Sequence, residues 1–217
     1  MFVTRRMRKN VATISPSASL EEARSLMHGK NVRQLPVTDE DGMLLGILSD
    51  RDIREATLPA GLLPGYQEME KMLSGTPVEK VMTRKVVTAT IHDSLEDAIV
   101  LLHDFRIHAL PVVDDTGRVA GIITRTDVLE AFIDALGVGE ISSRLEVVVP
   151  DMPGVLAGIV SIIKSFHVNI TSILTTGHTE KGKRAVFLRI STLNVGPIRK
   201  ALQEAGYRIL DPGDFRG

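Results

Sequence analysis

The feature that most constrains this chain is that it repeats itself. Offset by 75 residues and without a gap, Met7 falls on Met82, Ser19-Leu20-Glu21 on Ser94-Leu95-Glu96, and Leu35-Pro36-Val37 on Leu110-Pro111-Val112. Gly42 falls on Gly117, Gly46-Ile47-Leu48-Ser49 on Gly121-Ile122-Ile123-Thr124, and Asp52 on Asp127. Two copies are too few for a solenoid, which needs at least three repeats to bury its faces. The expected fold is a pseudo-twofold pair of small units packed on each other.

Each copy reads the same way. A short strand at Val11 to Ile14 precedes Ser19, which with Glu22 forms a capping box opening a helix to about His28; Ser94 and Asp97 repeat it. Two strands follow, Gln34 to Thr38 and Met43 to Leu48, turning at Asp41-Gly42; the second copy has Ala109 to Val113 and Arg118 to Ile123 around Thr116-Gly117. A further helix begins after Ser49 and after Thr124. Leu58 to Gly75, rich in Pro and Gly, reads as the connection, with a short helix over Glu68 to Leu73.

The strand-to-helix junctions Ser49-Asp-Arg-Asp52 and Thr124-Arg-Thr-Asp127 put a hydroxyl at a helix start and a carboxylate three residues on. Two readings stay open. Such a box stabilises a helix start by about 1 kcal/mol with no ligand. Alternatively, the free N–H groups attract phosphate, Arg51 or Arg125 completes the charge, and Asp52 and Asp127 accept both hydroxyls of a ribose.

Residues 7 to 135 resemble a pair of cystathionine-beta-synthase (CBS) repeats, on the hydrophobic-Pro-Val strand and the Gly-hydrophobic-hydrophobic-Thr/Ser-x-x-Asp ending that both copies carry. The resemblance implies a Bateman module: two repeats packed through their sheets, with clefts for AMP, ADP, ATP or S-adenosylmethionine as a regulatory ligand. It implies ribose contacts from Asp52 and Asp127, hydroxyl positions at Ser49 and Thr124, and cleft walls including Thr13, Thr88, Pro36 and Pro111. Ser49 departs from the commoner Thr but keeps the hydroxyl.

The last third differs. Leu145 to Val149 reads as a strand, Val155 to Phe166 as a helix, Asn169 to Thr175 and Ala185 to Ile190 as strands, a stretch opening near Pro197 as a helix, and Arg208 to Leu210 as a last strand. This βαββαβ order is ferredoxin-like. Asp151-x-Pro-Gly154-x-Leu156 and Asn169-Ile170 resemble the signature of an ACT domain. That resemblance implies an amino-acid effector held between paired domains near Asp151, Gly154, Val155, Leu156 and Asn169. The loop alone is equally explained as a capping Asp with a Gly needed for backbone geometry.

The expected class is therefore α+β: CBS repeats over 1–60 and 76–136, a linker at 61–75 and an ACT domain over 143–212. The whole arrangement resembles the acetoin-utilisation accessory proteins called AcuB.

Composition limits the rivals. Lys and Arg number 26 against 27 Asp and Glu, so no overall field draws the chain to nucleic acid, and with no Trp, two Tyr and six Phe there is no aromatic platform for single strands. The run Arg5, Arg6, Arg8, Lys9 reads first as a solvated strand flank and second as a phosphate contact. The absence of cysteine excludes disulfides and thiolate chemistry. Apolar runs such as Val155 to Ile163 fall far short of the ~20 residues of a membrane span, and a cytoplasmic location is expected. Gly177 to Lys183 imitates a phosphate loop, but Arg184 stands where Ser or Thr is required. No His spacing suggests a metal, and no nucleophile accompanies the carboxylate pairs Asp50/Asp52 and Asp114/Asp115, so no catalysis, metal or catalytic cofactor is expected. The expected function is a non-catalytic sensor, homodimeric, acting on a partner protein without nucleic acid or membrane. The rival readings are an interaction scaffold that binds no nucleotide and, behind it, a transcriptional regulator.

Overall fold

The computed structural model describes residues 1–57, 65–177 and 180–211. The chain divides into two compact units, Met1–Leu129 and Glu130–Gly217.

In the first unit, α1 (Leu20–Lys30) leads into the hairpin β1 (Gln34–Thr38) and β2 (Leu44–Ser49), then α2 (Asp50–Thr57) and α3 (Tyr66–Gly75). The second repeat has β3 (Ala89–Thr90), α4 (Leu95–Asp104), β4 (Ala109–Val113), β5 (Val119–Thr124) and the start of α5 (Arg125–Ala135), whose residues from Glu130 on belong to the second unit. Both capping boxes form: Ser19 with Glu22 and Ser94 with Asp97 exchange reciprocal bonds at the starts of α1 and α4. Both hairpins turn where Gly42 and Gly117 take φ of 82° and 85°, a conformation a Cβ would strain. Asp39 and Asp114 clamp these turns through backbone N–H donors.

The strand expected at Val11 to Ile14 is reduced to one bridge, Ile14 to Val37, parallel. Its counterpart β3 pairs with Val112 and Val113, and Ile91 N–H extends the pairing to Val113 O. The residue equivalent to Ile91 is Pro16, which has no N–H to donate, so the first copy stops one step earlier.

The repeats exchange their leading segments. Arg8 bonds in both directions with Ile122, and Thr83 does the same with Ile47, the same contact seen from the other copy. Likewise Val3 N–H donates to Asp93 O and Val78 N–H to Ala18 O. Met43 and Arg118 bridge each other and, being equivalent positions, lie on the internal dyad. The segment ahead of each repeat thus seals the other one: Leu73, Val78 and Met82 join the core of Leu20, Met27, Leu35, Val37, Leu48 and Ile53. The stretch expected as a linker therefore carries α3 and contributes a fully buried Leu73; residues 61–64 of it lie outside the described residues.

The second unit contains β6 (Ser143–Pro150), α6 (Val155–Lys164), β7 (Ile170–Gly177), β8 (Lys183–Ile190), α7 (Gly196–Glu204) and β9 (Arg208–Leu210). Its sheet is antiparallel with order β7-β8-β6-β9, the ferredoxin-like arrangement expected from the sequence. Alternate residues Leu145, Val147 and Val149 face Ile159, Ile163, Ile198 and Leu202 of the two helices, so period-two and period-3.6 patterns meet in one core.

Candidate functional site

One cleft of about 890 Å³ lies within the first unit. Its walls come in pairs related by the dyad: Asn31 to Gln34 with Arg106 to Ala109, and Ser49 to Arg51 with Thr124 to Thr126. The segment Arg8, Asn10, Val11, Ala12 lines it as well. Two helix N-termini, those of α2 and α5, open at Ser49 and Thr124, and Asp50 N–H and Arg125 N–H donate to Arg33 O and His108 O. These last bonds fix the strand-entry loops against the helix starts.

At each junction the carboxylate is already engaged. Asp52 Oδ2 accepts from Ser49 N at 2.7 Å and Ser49 Oγ at 2.6 Å, and Asp52 N–H returns a bond to Ser49 Oγ at 3.2 Å. Asp127 Oδ2 accepts from Thr124 N at 2.8 Å and Thr124 Oγ1 at 2.5 Å, with the return bond at 3.2 Å. Both are complete capping boxes, so the sequence's two readings are compatible: each carboxylate keeps a second oxygen. The halves differ in its use. Asp127 is 5% exposed and its Oδ1 accepts from Arg8 Nε at 3.1 Å, whereas position 83, equivalent to Arg8, is Thr, and Asp52 gains no cation there.

Of the nucleotide candidates, Ser49, Arg51, Thr124 and Arg125 line the cleft. Asp52 and Asp127 sit one helical turn in from it. Pro36 and Pro111 are buried in the middle of β1 and β4, and Thr13 and Thr88 precede the parallel bridges; none of the four lines the cleft. Sequence reasoning misses Arg33, Arg54, Arg106 and His108, which do, and reaches Arg8 only through the second reading of the basic run. A signal is present: a basic residue stands three places before the strand proline in both copies, Arg33 and His108.

The cleft is strongly basic. Six arginines and His108 line it, against Asp50 as the one carboxylate among the described residues of its wall. Arg54 pairs with Asp50 at 3.0 Å and Arg51 with Glu55 at 2.6 Å, a hydrogen bond that raises the Arg51 pKa above its ordinary value. Arg125 Nη2 donates to Leu102 O at 3.1 Å. Arg33 and Arg106 make no side-chain hydrogen bond or ion pair among the described residues. A convergence of guanidinium groups with two helix N-termini favours a phosphate-bearing anion.

In the second unit, Asp151, Gly154, Val155 and Leu156 share the loop and first turn before α6, Gly154 with φ of 88°. Asp151 Oδ1 accepts from Arg184 Nε at 2.6 Å, so the carboxylate expected to meet an ammonium group already has a cation. Asn169 stands elsewhere: β6 and β7 run parallel on either side of β8, with Ser143 and Ile170 both opposite Ile190, so Asn169 is at the Ser143 end of the sheet while Asp151 follows Pro150 at the other end of β6. Within one chain that separation is roughly 20–25 Å at about 3.3 Å per residue. The cavity in this unit, about 730 Å³ and lined by Arg144, Glu146, Leu174, Phe187, Arg189 and Arg199 among others, is at the Asn169 end and includes none of residues 151 to 156. Among the described residues no group of three His, Asp or Glu is placed to hold a metal, and no helix is long and apolar enough to cross a membrane.

Comparison with known proteins supplies the family. The CBS-domain model matches residues 3–58 and 78–134, and the model described as a TTHA0829-like ACT domain matches residues 142–212. The chain is a CBS-domain protein. It carries a tandem CBS pair followed by an ACT domain. It is 39% identical over 121 residues to the CBS domain-containing protein YhcV of Bacillus subtilis, covering 56% of this chain and 78% of that protein. The match to an inosine-5'-monophosphate dehydrogenase of Thermoplasma acidophilum, 36% identical, spans 58% of this chain but 23% of that enzyme. Among solved structures, CBSX2 of Arabidopsis thaliana in complex with AMP superposes with a TM-score of 0.51 at 33% identity, over 61% of this chain and 96% of that one. The CBS domain pair of protein MJ0100, in complex with 5'-methylthioadenosine and S-adenosylmethionine, gives 0.51 at 30% identity over 61% and 95%.

Proposed function

We propose that this CBS-ACT protein is a non-catalytic, cytoplasmic sensor that binds an adenine nucleotide in the cleft between its repeats and relays occupancy to a partner protein. The observation that carries the reading is the cleft itself: two helix N-termini and a set of arginines converge on one space, with a carboxylate one turn behind each helix start. The AMP complex of CBSX2, which shares the fold of the repeats, supports it. Because both repeats line the cleft, a ligand that contacts both favours one arrangement of the pair, and its differential affinity is what couples binding to a partner. The ACT domain serves as the pairing element of a homodimer and as the seat of an amino-acid effector, in which case the ammonium group competes with Arg184 for Asp151. Control of a metabolic partner in the manner of the AcuB proteins fits the domain order.

Calorimetric titration with AMP, ADP, ATP, NAD and S-adenosylmethionine tests the proposal, with Asp52→Ala alongside. Micromolar binding of an adenine ligand, weakened at least about tenfold by the substitution with the fold intact, is the expected result. A second reading has its own support: both capping boxes are complete without ligand. If no adenine compound binds, the junctions are helix caps and the protein is an interaction scaffold.

A further inference from the structure

The sheet of the second unit turns one face away from α6 and α7, and the charges on that face are not satisfied by the fold. Leu145, Val147 and Leu188 point into the core with the helices, so the alternate residues Arg144, Glu146, Phe187 and Arg189 stand on the opposite face. Across the strands these residues form two rows. Ser172, Arg189 and Arg144 make the first; Leu174, Phe187, Glu146 and Leu210 make the second. The rows lie about 6.5–7 Å apart along the strands.

Each row carries charge without a counter-charge. Arg144 and Arg189 are direct cross-strand partners, and like charges in that position destabilise a sheet. Neither meets a carboxylate among the described residues: Arg144 makes no hydrogen bond or ion pair, and Arg189 donates to the neutral Ser142 Oγ at 3.2 Å. Glu146 is half-buried between Phe187 and Leu210, and no ion pair joins it to the arginines one row away. A carboxylate in that place loses hydration without gaining a cation. The rows form the floor of the cavity of about 730 Å³, a size that suits a small molecule. Leu174 and Phe187, 43% and 37% exposed, are its apolar part. The end of α5 closes one side, where Ser172 Oγ donates to Leu136 O at 3.0 Å, and at the far edge Arg199 already pairs with Asp211 at 2.7 Å.

We propose that this face binds an α-amino acid with an apolar side chain, its carboxylate between Arg144 and Arg189, its ammonium group on Glu146 and its side chain on Leu174 and Phe187. Two guanidinium groups that repel each other accept one carboxylate with paired hydrogen bonds, and the carboxylate one row on accepts a cation. A zwitterion satisfies both rows at once. A plain carboxylic acid would leave Glu146 unpaired and face it as a like charge, and a plain amine would face the two arginines. The site lies at the Ser143 end of the sheet, whereas residues 151 to 156 lie past the other end of β6, where Asp151 is held by Arg184. The inference is independent of the nucleotide reading; it shares the class of ligand with the effector reading of the ACT domain and assigns that ligand to different residues.

The experiment is a calorimetric titration of the full chain with L-leucine, L-isoleucine, L-valine, L-methionine and L-phenylalanine, with L-serine and L-glutamate as polar comparators. Wild type is compared with Arg144→Gln, Glu146→Gln and Asp151→Asn. Arg144→Gln relieves the like-charge pair and Glu146→Gln keeps the shape of the side chain, so both leave the fold intact; circular dichroism and a thermal melt check this. The expected result is binding of at least one apolar amino acid, at least about tenfold more tightly than its deaminated or decarboxylated analogue. Arg144→Gln and Glu146→Gln each weaken that binding at least about tenfold, Glu146→Gln does not weaken the deaminated analogue, and Asp151→Asn changes nothing. Loss of binding in Asp151→Asn with the other two variants unaltered, or binding of serine or glutamate alone, overturns the proposal while leaving an effector at the ACT domain standing. An analogue that binds as tightly as its amino acid, or an unaltered Arg144→Gln or Glu146→Gln variant, also overturns it. Absence of binding by every amino acid in the panel overturns both.

Discussion

The exchange of leading segments between the repeats makes Gly121→Ala a sharp test of the fold. A Cβ on Gly121 would come within 2.6 Å of Met7 Sδ and 2.9 Å of Arg8 O. The thioether can swing away, but the carbonyl cannot, because Arg8 O accepts from Ile122 N–H at 3.0 Å while Arg8 N–H donates to Ile122 O at 2.9 Å. Accommodating the methyl therefore means parting the bridge that seals repeat 2, an overpacking cost of about 1–3 kcal/mol. Gly29 supplies the opposite sign: it lies inside α1, a methyl group there would meet nothing within 4 Å, and Gly29→Ala stabilises by about 0.5–1 kcal/mol. Urea unfolding followed by circular dichroism measures both, with slopes of about 1–3 kcal/mol/M converting these energies into opposite midpoint shifts of some tenths of a molar or more. If Gly121→Ala is as stable as wild type, the Arg8–Ile122 bridge does not seal repeat 2.

Leu73→Ala is expected to cost about 2–5 kcal/mol in the same assay, because this residue of the connecting segment is 1% exposed in the core of repeat 1; a loss below about 1 kcal/mol would mean α3 is not docked there. Ser94→Ala removes a cap from α4 and should lower stability by about 1 kcal/mol, measured as a shift of the thermal midpoint. Hydrogen bonds from Ser19 and from Ser94 lower the pKa of Glu22 and Asp97, so each carboxylate contributes stability above its ordinary pKa and loses it as pH falls through the lowered value. The difference in urea midpoint between wild type and Glu22→Gln should accordingly be present at neutral pH and shrink below the carboxylate range; a difference that grows on acidification would reverse the sign.

Most of the fold is legible in the sequence because the repeat states it twice. Ser19 with Glu22 and Ser94 with Asp97, the strands around Pro36 and Pro111, and the glycine turns each stand at matching positions, and local chemistry agrees with the global pattern at all of them. What a repeat cannot tell is which copy each segment serves. Met7 and Met82 are equivalent in either arrangement, and only the structure places each against the glycine of the other repeat. The apolar pattern before Pro16 suggests a longer strand pairing than its missing N–H allows.

The cleft is half legible. Ser49 and Thr124 sit in a motif, but Arg33, Arg106 and His108 come from strand-entry loops that carry none, and Arg8 belongs to a basic run that looks like a solvated flank. Their convergence depends on the dyad, a three-dimensional relation between the two copies of the repeat. The ACT loop illustrates the reverse: Asp151 and Asn169 belong to one signature in the sequence yet stand at opposite ends of the sheet.

The most direct measurement of the central claim is hydrogen–deuterium exchange of the full chain with and without saturating ATP. Protection is predicted in the four cleft segments, 31–34, 49–54, 106–109 and 122–126, from both repeats at once, with the loop 151–156 unchanged. Binding that leaves these segments exchanging at the same rates, or protects one repeat alone, would contradict a ligand held across the dyad.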